Sequence, residues 1–77
     1  MEQKLVKVLM DIFQISEKET RQASMTTVLN WDSLTHIELM MTLEEEFGIP
    51  KIIPDEIVLM VNIEGIKSVL RDKGVEV

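Results

Sequence analysis

The chain has no cysteine, which removes both a disulfide framework and any thiolate metal site and makes a reducing compartment its expected setting. Long apolar runs are missing too. The longest, Ile57 to Val61, falls far short of the ~20 residues that a membrane-spanning helix needs. Met1-Glu-Gln-Lys lacks the basic, then apolar, then small-residue order of a signal peptide, so a soluble cytoplasmic protein is expected. Strand-like alternation, internal repeats and low-complexity tracts are absent as well. Basic residues are scarce where it matters: residues 22–66 hold eight acids against Lys51 alone, within a net charge of −6. Such a surface repels nucleic acid and anionic headgroups and favours basic partners. A merely solvated acidic face is the alternative reading.

Seventy-seven residues give one domain, 1–77, with a modest core. From Glu2 to Phe13, Leu5, Leu9, Ile12 and Phe13 recur at helical spacing, widened by Val6, Val8 and Met10, while Lys4, Lys7 and Asp11 fall opposite. Residues 14–31 lose this period and read as a long ordered loop, with Ile15, Met25 and Leu29 as candidate pins to the core. A second helix runs from about Ser33 to Phe47, with Asp32 as N-cap, Gly48 as its closing residue and Pro50 barring continuation. Pro54-Asp55-Glu56 opens a short third helix of one or two turns. Asn62 caps a fourth, whose Ile63, Ile66, Val69 and Leu70 share a face, with Glu64 near its start and Arg71 and Lys73 before Gly74. The expected fold is therefore all-α: a small four-helix bundle of three main helices and a short third, with a long loop between the first two.

The helix from Ser33 to Phe47 carries two apolar arcs. Leu39, Leu43, Phe47, Met40 and His36 form one, which suffices for packing. Leu34, Ile37 and Met41 form the other, flanked by Glu38, Glu45 and Glu44. An apolar strip with an acidic rim suits docking into a partner's groove; the alternative is a central helix with both arcs buried. Ser33 stands at the positive end of this helix, where free N–H groups and aligned peptide dipoles favour an anion such as a phosphate.

Asp32-Ser33-Leu34, Glu38-Leu39, Leu43-Glu44-Glu45-Glu46-Phe47 and Ile53-Pro54-Asp55-Glu56 together resemble acyl carrier proteins and the related peptidyl carriers, over nearly the whole chain. Three letters, Asp-Ser-Leu, are weak alone; the combination with length and spacing is specific. The resemblance implies a four-helix bundle in which Ser33 bears a 4′-phosphopantetheine arm, taken from coenzyme A by a phosphopantetheinyl transferase, with Asp32 presenting the serine. The arm's thiol would hold acyl groups as thioesters for acyl-loading and acyl-processing enzymes whose basic patches meet Leu34, Ile37, Glu38, Met41, Glu44 and Glu45. The implied protein is a non-catalytic monomer. Fatty-acid carriers usually have Gly-Ala or a similar small pair where this chain has Asn30-Trp31, and Asp where it has Thr35. The stretch between Asp55 and Ile63 is also about one residue shorter. These departures flank the serine and point to a pathway-specific carrier for fatty acyl, polyketide or related cargo. An unmodified acidic helical adaptor is the competing class.

Asp32, Ser33 and His36 invite comparison with a catalytic triad, yet they share one helical turn and no second segment supplies an oxyanion hole. His36, on the Met40 and Phe47 side, reads as a core or boundary residue, and Trp31 as packing for the loop, with partner contact as its alternative role. The glutamate run lacks the glycine and alternating oxygen ligands of a calcium loop, so no metal site is expected. Met10, Met25, Met40 and Met60, at expected core positions, suggest an interior that can adapt its shape, with ordinary filling as the plainer account. The sharper expectation is an expandable slot for an acyl chain between the second and third helices.

Overall fold

Leu5, Val6, Val8, Leu9 and Phe13 turn inward from the first helix, α1 (Glu2–Phe13), as its spacing predicts. No glycine ends it; Gln14 adopts a left-handed backbone (φ 55°) and its side-chain amide donates to the Asp11 carbonyl. The computed structural model describes residues 2–77. After α1 come α2 (Glu17–Arg21), α3 (Ser33–Phe47), α4 (Pro54–Ile57) and α5 (Ile63–Asp72), with no strand among the described residues. The small helical bundle is the expected one, and α3, α4 and α5 begin where their caps predict.

The stretch between α1 and α3 differs from a plain loop by one helix. Ser16 and Glu19 form a reciprocal capping box that starts α2. This polar turn has no apolar stripe and buries only Thr20, whose hydroxyl donates back to the Ser16 carbonyl. α2 packs on α1, as does α3. Leu29 is fully exposed and pins nothing; Ala23 and Val28 enter the core instead, with Ile15 and Met25 packed against it. Backbone pairing fastens the remainder of the stretch: the Met25 N–H donates to the Val61 carbonyl and the Ile63 N–H to that of Ala23, both within 3.0 Å.

α3 supplies Leu39, Met40 and Leu43 to the core, and Gly48 ends it in the left-handed region (φ 60°) that glycine adopts at no steric cost. α5 adds Ile63, Ile66, Val69 and Leu70, all buried. Met40 and Met60 lie deep in the same core, whereas Met10 and Met25 are half-buried.

α5 approaches the preceding segment so closely at Gly65 that a Cβ there would lie 2.0 Å from the Leu59 carbonyl oxygen and 3.1 Å from its carbon. Alanine normally favours a helix over glycine by about 1 kcal/mol. Here the clash with backbone reverses that sign. Gly65→Ala is expected to cost about 1–3 kcal/mol net, the range for overpacking, read as a lower urea midpoint. An unchanged or raised midpoint would show that the 58–62 segment yields freely.

Candidate functional site

The start of α3 is built by four consecutive residues and one from the loop. Asp32 is extended (φ −113°, ψ −173°), and its carboxylate accepts the Thr35 N–H at 3.0 Å while the Asp32 N–H donates to the Thr35 hydroxyl oxygen at 2.9 Å. The Thr35 hydroxyl donates in turn to the Asn30 carbonyl at 2.6 Å, and the Asn30 side-chain amide reaches the Phe13 carbonyl at 3.2 Å. Thr35 thus completes a reciprocal cap and ties the helix start to the end of α1. None of these bonds uses the Ser33 hydroxyl, and Ser33 is exposed.

The Thr35 N–H, followed by the Thr35 hydroxyl, holds the Asp32 carboxyl below its ordinary value. Its negative charge is therefore secured at the helix end. Three other carboxyls are also lowered: Glu19 by the Ser16 N–H, Glu56 first by the Ile53 N–H and then by Lys73, and Glu2 by hydrogen bonding to Lys67. A carboxyl depressed in the folded state stabilises it above the unfolded value of about 4, and this contribution is lost as pH falls through the depressed value. The stability gap between wild type and Asp32→Ala, measured by urea denaturation, should therefore be widest above pH ~5 and narrow as pH falls below ~4. A gap that is constant with pH would mean that the charge contributes nothing to the cap.

Beneath the serine, Trp31 and His36 are buried. Trp31 stacks on Phe13, with ring centroids 4.7 Å apart and planes inclined by 25°. Its indole N–H donates to His36 Nδ1 at 3.0 Å, and His36 Nε2 lies 2.9 Å from the Ile57 carbonyl oxygen. Both ring nitrogens are thus engaged away from Ser33. His36 is not free to act as its base, and Asp32, Ser33 and His36 make no triad.

The second apolar arc of α3 faces solvent: Leu34 is 80%, Met41 62% and Ile37 50% exposed. A shallow groove of about 330 Å³ runs along it, bounded by Glu38, Thr42 and Glu45. Glu44 is set differently. It is half-buried, and its carboxylate accepts the Ile52 N–H at 2.7 Å, fastening the turn after α3. On the α4 side lies a second hollow of about 420 Å³, walled by Ile37, Met40, Ile52 and Ile57, with Glu44 and Lys51 at its edge.

A cap that leaves the serine unused, followed by an exposed apolar strip, stands in this chain beside marked sequence likeness. It is 55% identical over 40 residues to an acyl carrier protein of Thermosynechococcus vestitus, covering 52% of this chain and 47% of that protein. Over that stretch this chain is similar to an acyl carrier protein. A further acyl carrier protein, from Nitratidesulfovibrio vulgaris, is 45% identical over 49 residues, covering 62% of this chain and 64% of its own length. The chain thus spans about half of the first of these acyl carrier proteins and somewhat under two thirds of the second. No family model matches it. Among the described residues no helix is long and apolar enough to cross a membrane, and no three His, Asp or Glu side chains gather as a metal site.

Sequence reasoning located Asp32, Ser33 and the exposed strip but missed the tie from Thr35 through Asn30 to Phe13. Thr35 falls three residues after Asp32, the spacing at which a capping side chain reaches back. That signal was present.

Proposed function

We propose that this chain is a non-catalytic covalent carrier in which the Ser33 hydroxyl takes a 4′-phosphopantetheine group from coenzyme A. The observation that carries the reading is the serine itself: exposed at the first position of α3, with capping delegated to Asp32 and Thr35. A serine hydroxyl is a weak nucleophile unaided, so the transferase must supply the base and the magnesium ion that neutralises the pyrophosphate. The serine oxygen forms the new P–O bond, its proton passes to that base, and the adenosine bisphosphate half of coenzyme A departs. The residues present fit the group. Asp32 already places one negative charge on the helix end, and an exposed oxygen keeps the second in solvent, where repulsion between the two is screened. When bound, the group supplies a thiol for thioester chemistry.

Leu34, Ile37 and Met41 with Glu38 and Glu45 serve as the docking face for basic patches on the transferase and on acyl-loading and acyl-processing enzymes. Glu44 contributes to that rim while also bracing Ile52. Such docking is weak and salt-sensitive, since exposed charge pairs are screened and a shuttle must dissociate. Asn30, exposed beside the serine, and Thr35 one turn into the helix favour a dedicated partner set and hence a pathway-specific carrier.

Incubation with coenzyme A and a broad-specificity phosphopantetheinyl transferase tests the reading. Intact mass should rise by one phosphopantetheine. An unmodified adaptor that docks through the same apolar strip would gain no mass, and that result would overturn the carrier reading.

A further inference from the structure

α4 is a single turn that buries none of its residues completely and packs Ile57 against the core, so polar ties add to a small apolar contact in setting its position. On the α5 side, Glu56 pairs with Lys73 at 2.9 Å while also accepting the Ile53 N–H. On the α3 side stands His36. The Ile57 carbonyl can only accept, so Nε2 carries the proton; an indole N–H can only donate, so Nδ1 is bare. Trp31 and the Ile57 carbonyl thereby select the same neutral form of the imidazole, in which the far nitrogen donates to α4. The other neutral form would set two N–H groups against each other and leave the Ile57 carbonyl facing a nitrogen lone pair. Ile57 is also a wall of the 420 Å³ hollow between α3 and α4.

We propose that His36 is a positioning residue, a clip held in its Nε2–H tautomer by Trp31 and the Ile57 carbonyl together, which fastens α4 to α3 and limits how far the hollow between them opens. The clip connects that hollow to the serine. Trp31 lies two residues before Ser33, and His36 one turn after it, so displacing α4 strains the same hydrogen-bonded chain that underlies the modification site. The clip itself does not depend on Ser33 being modified; its consequence for a tethered group rests on the carrier reading.

The test uses the unmodified full chain, so its failure is distinct from failure of modification. In 15N spectra of the His36 ring, Nε2 should appear protonated and Nδ1 as a hydrogen-bond acceptor. Trp31→Phe, which keeps an aromatic ring against Phe13 and removes the donor, should abolish the hydrogen-bond signature at Nδ1 while the Ile57 carbonyl keeps Nε2 protonated. His36→Leu should speed hydrogen exchange at the Ile57, Val58 and Leu59 amides about tenfold more than at Leu39 and Leu70, which report the global loss from the unpaired Trp31 indole. His36→Gln, whose amide can both donate and accept, should restore part of the protection. An Nδ1–H ring in wild type, an unchanged Nδ1 signal in Trp31→Phe, or exchange in His36→Leu that rises no more at α4 than at Leu39 and Leu70 would each overturn the clip.

Discussion

Replacing Ser33 by alanine should abolish phosphopantetheine transfer and leave the fold intact. The loss is complete because the transferred phosphorus needs an oxygen at this position and alanine has none. Stability should change by no more than about 0.5 kcal/mol, the usual range for a surface substitution away from special features. The other hydroxyls cannot readily substitute. Ser16 accepts the Glu19 N–H in its own cap, and Ser24 is engaged with Thr26 and Thr27 at 2.9 and 3.1 Å. Ser68 lies inside α5, away from any helix end that could welcome an anion. Intact mass after incubation with coenzyme A and transferase, together with an unchanged circular dichroism spectrum, checks both halves. Mass gain by Ser33→Ala would place the arm elsewhere.

What could be read from the sequence divides by the range of the interaction. Caps and stops are local, so Asp32 and Gly48 bound α3, and Asn62 and Pro54 start α5 and α4, where their side-chain chemistry requires. Apolar periodicity found the buried face of α1 and of α5 for the same reason. α2 escaped because five polar residues have no stripe to show, although Ser16 and Glu19 carried its capping-box spacing in plain view. Leu29 misled because an apolar side chain in a loop says nothing about direction; the neighbouring Val28 turns inward instead. The backbone bonds from Met25 to Val61 and from Ile63 to Ala23 join distant segments and leave no side-chain signature. At the site, the serine and the exposed strip were legible as local features. Glu44 was not, because a glutamate in an acidic run reads as solvated until the turn that brings Ile52 back to it is known.

Trp31→Ala should be the most damaging of the substitutions near the site. Trp31 is 3% exposed and contributes to the core, to the stack on Phe13 and to the only donor for His36 Nδ1 among the described residues. Truncating a buried tryptophan to alanine costs about 3–5 kcal/mol. Folded domains hold only about 5–15 kcal/mol in all, and a short chain with a modest core sits towards the lower end. Most of the folding free energy is therefore at stake. Loss of helical signal should begin without denaturant or at very low urea. Trp31→Phe separates packing from hydrogen bonding: it keeps a ring for Phe13 and gives up the N–H, so about 1–3 kcal/mol is expected for leaving a buried acceptor unpaired. The order of urea midpoints should be wild type, then Trp31→Phe, then Trp31→Ala. Because Ser33 is exposed and is presented by a cap that does not include the indole, Trp31→Phe should still accept phosphopantetheine to completion. A folded Trp31→Phe protein that resists the transferase would mean that the buried indole hydrogen bond is needed to hold the helix start in the form the enzyme reads.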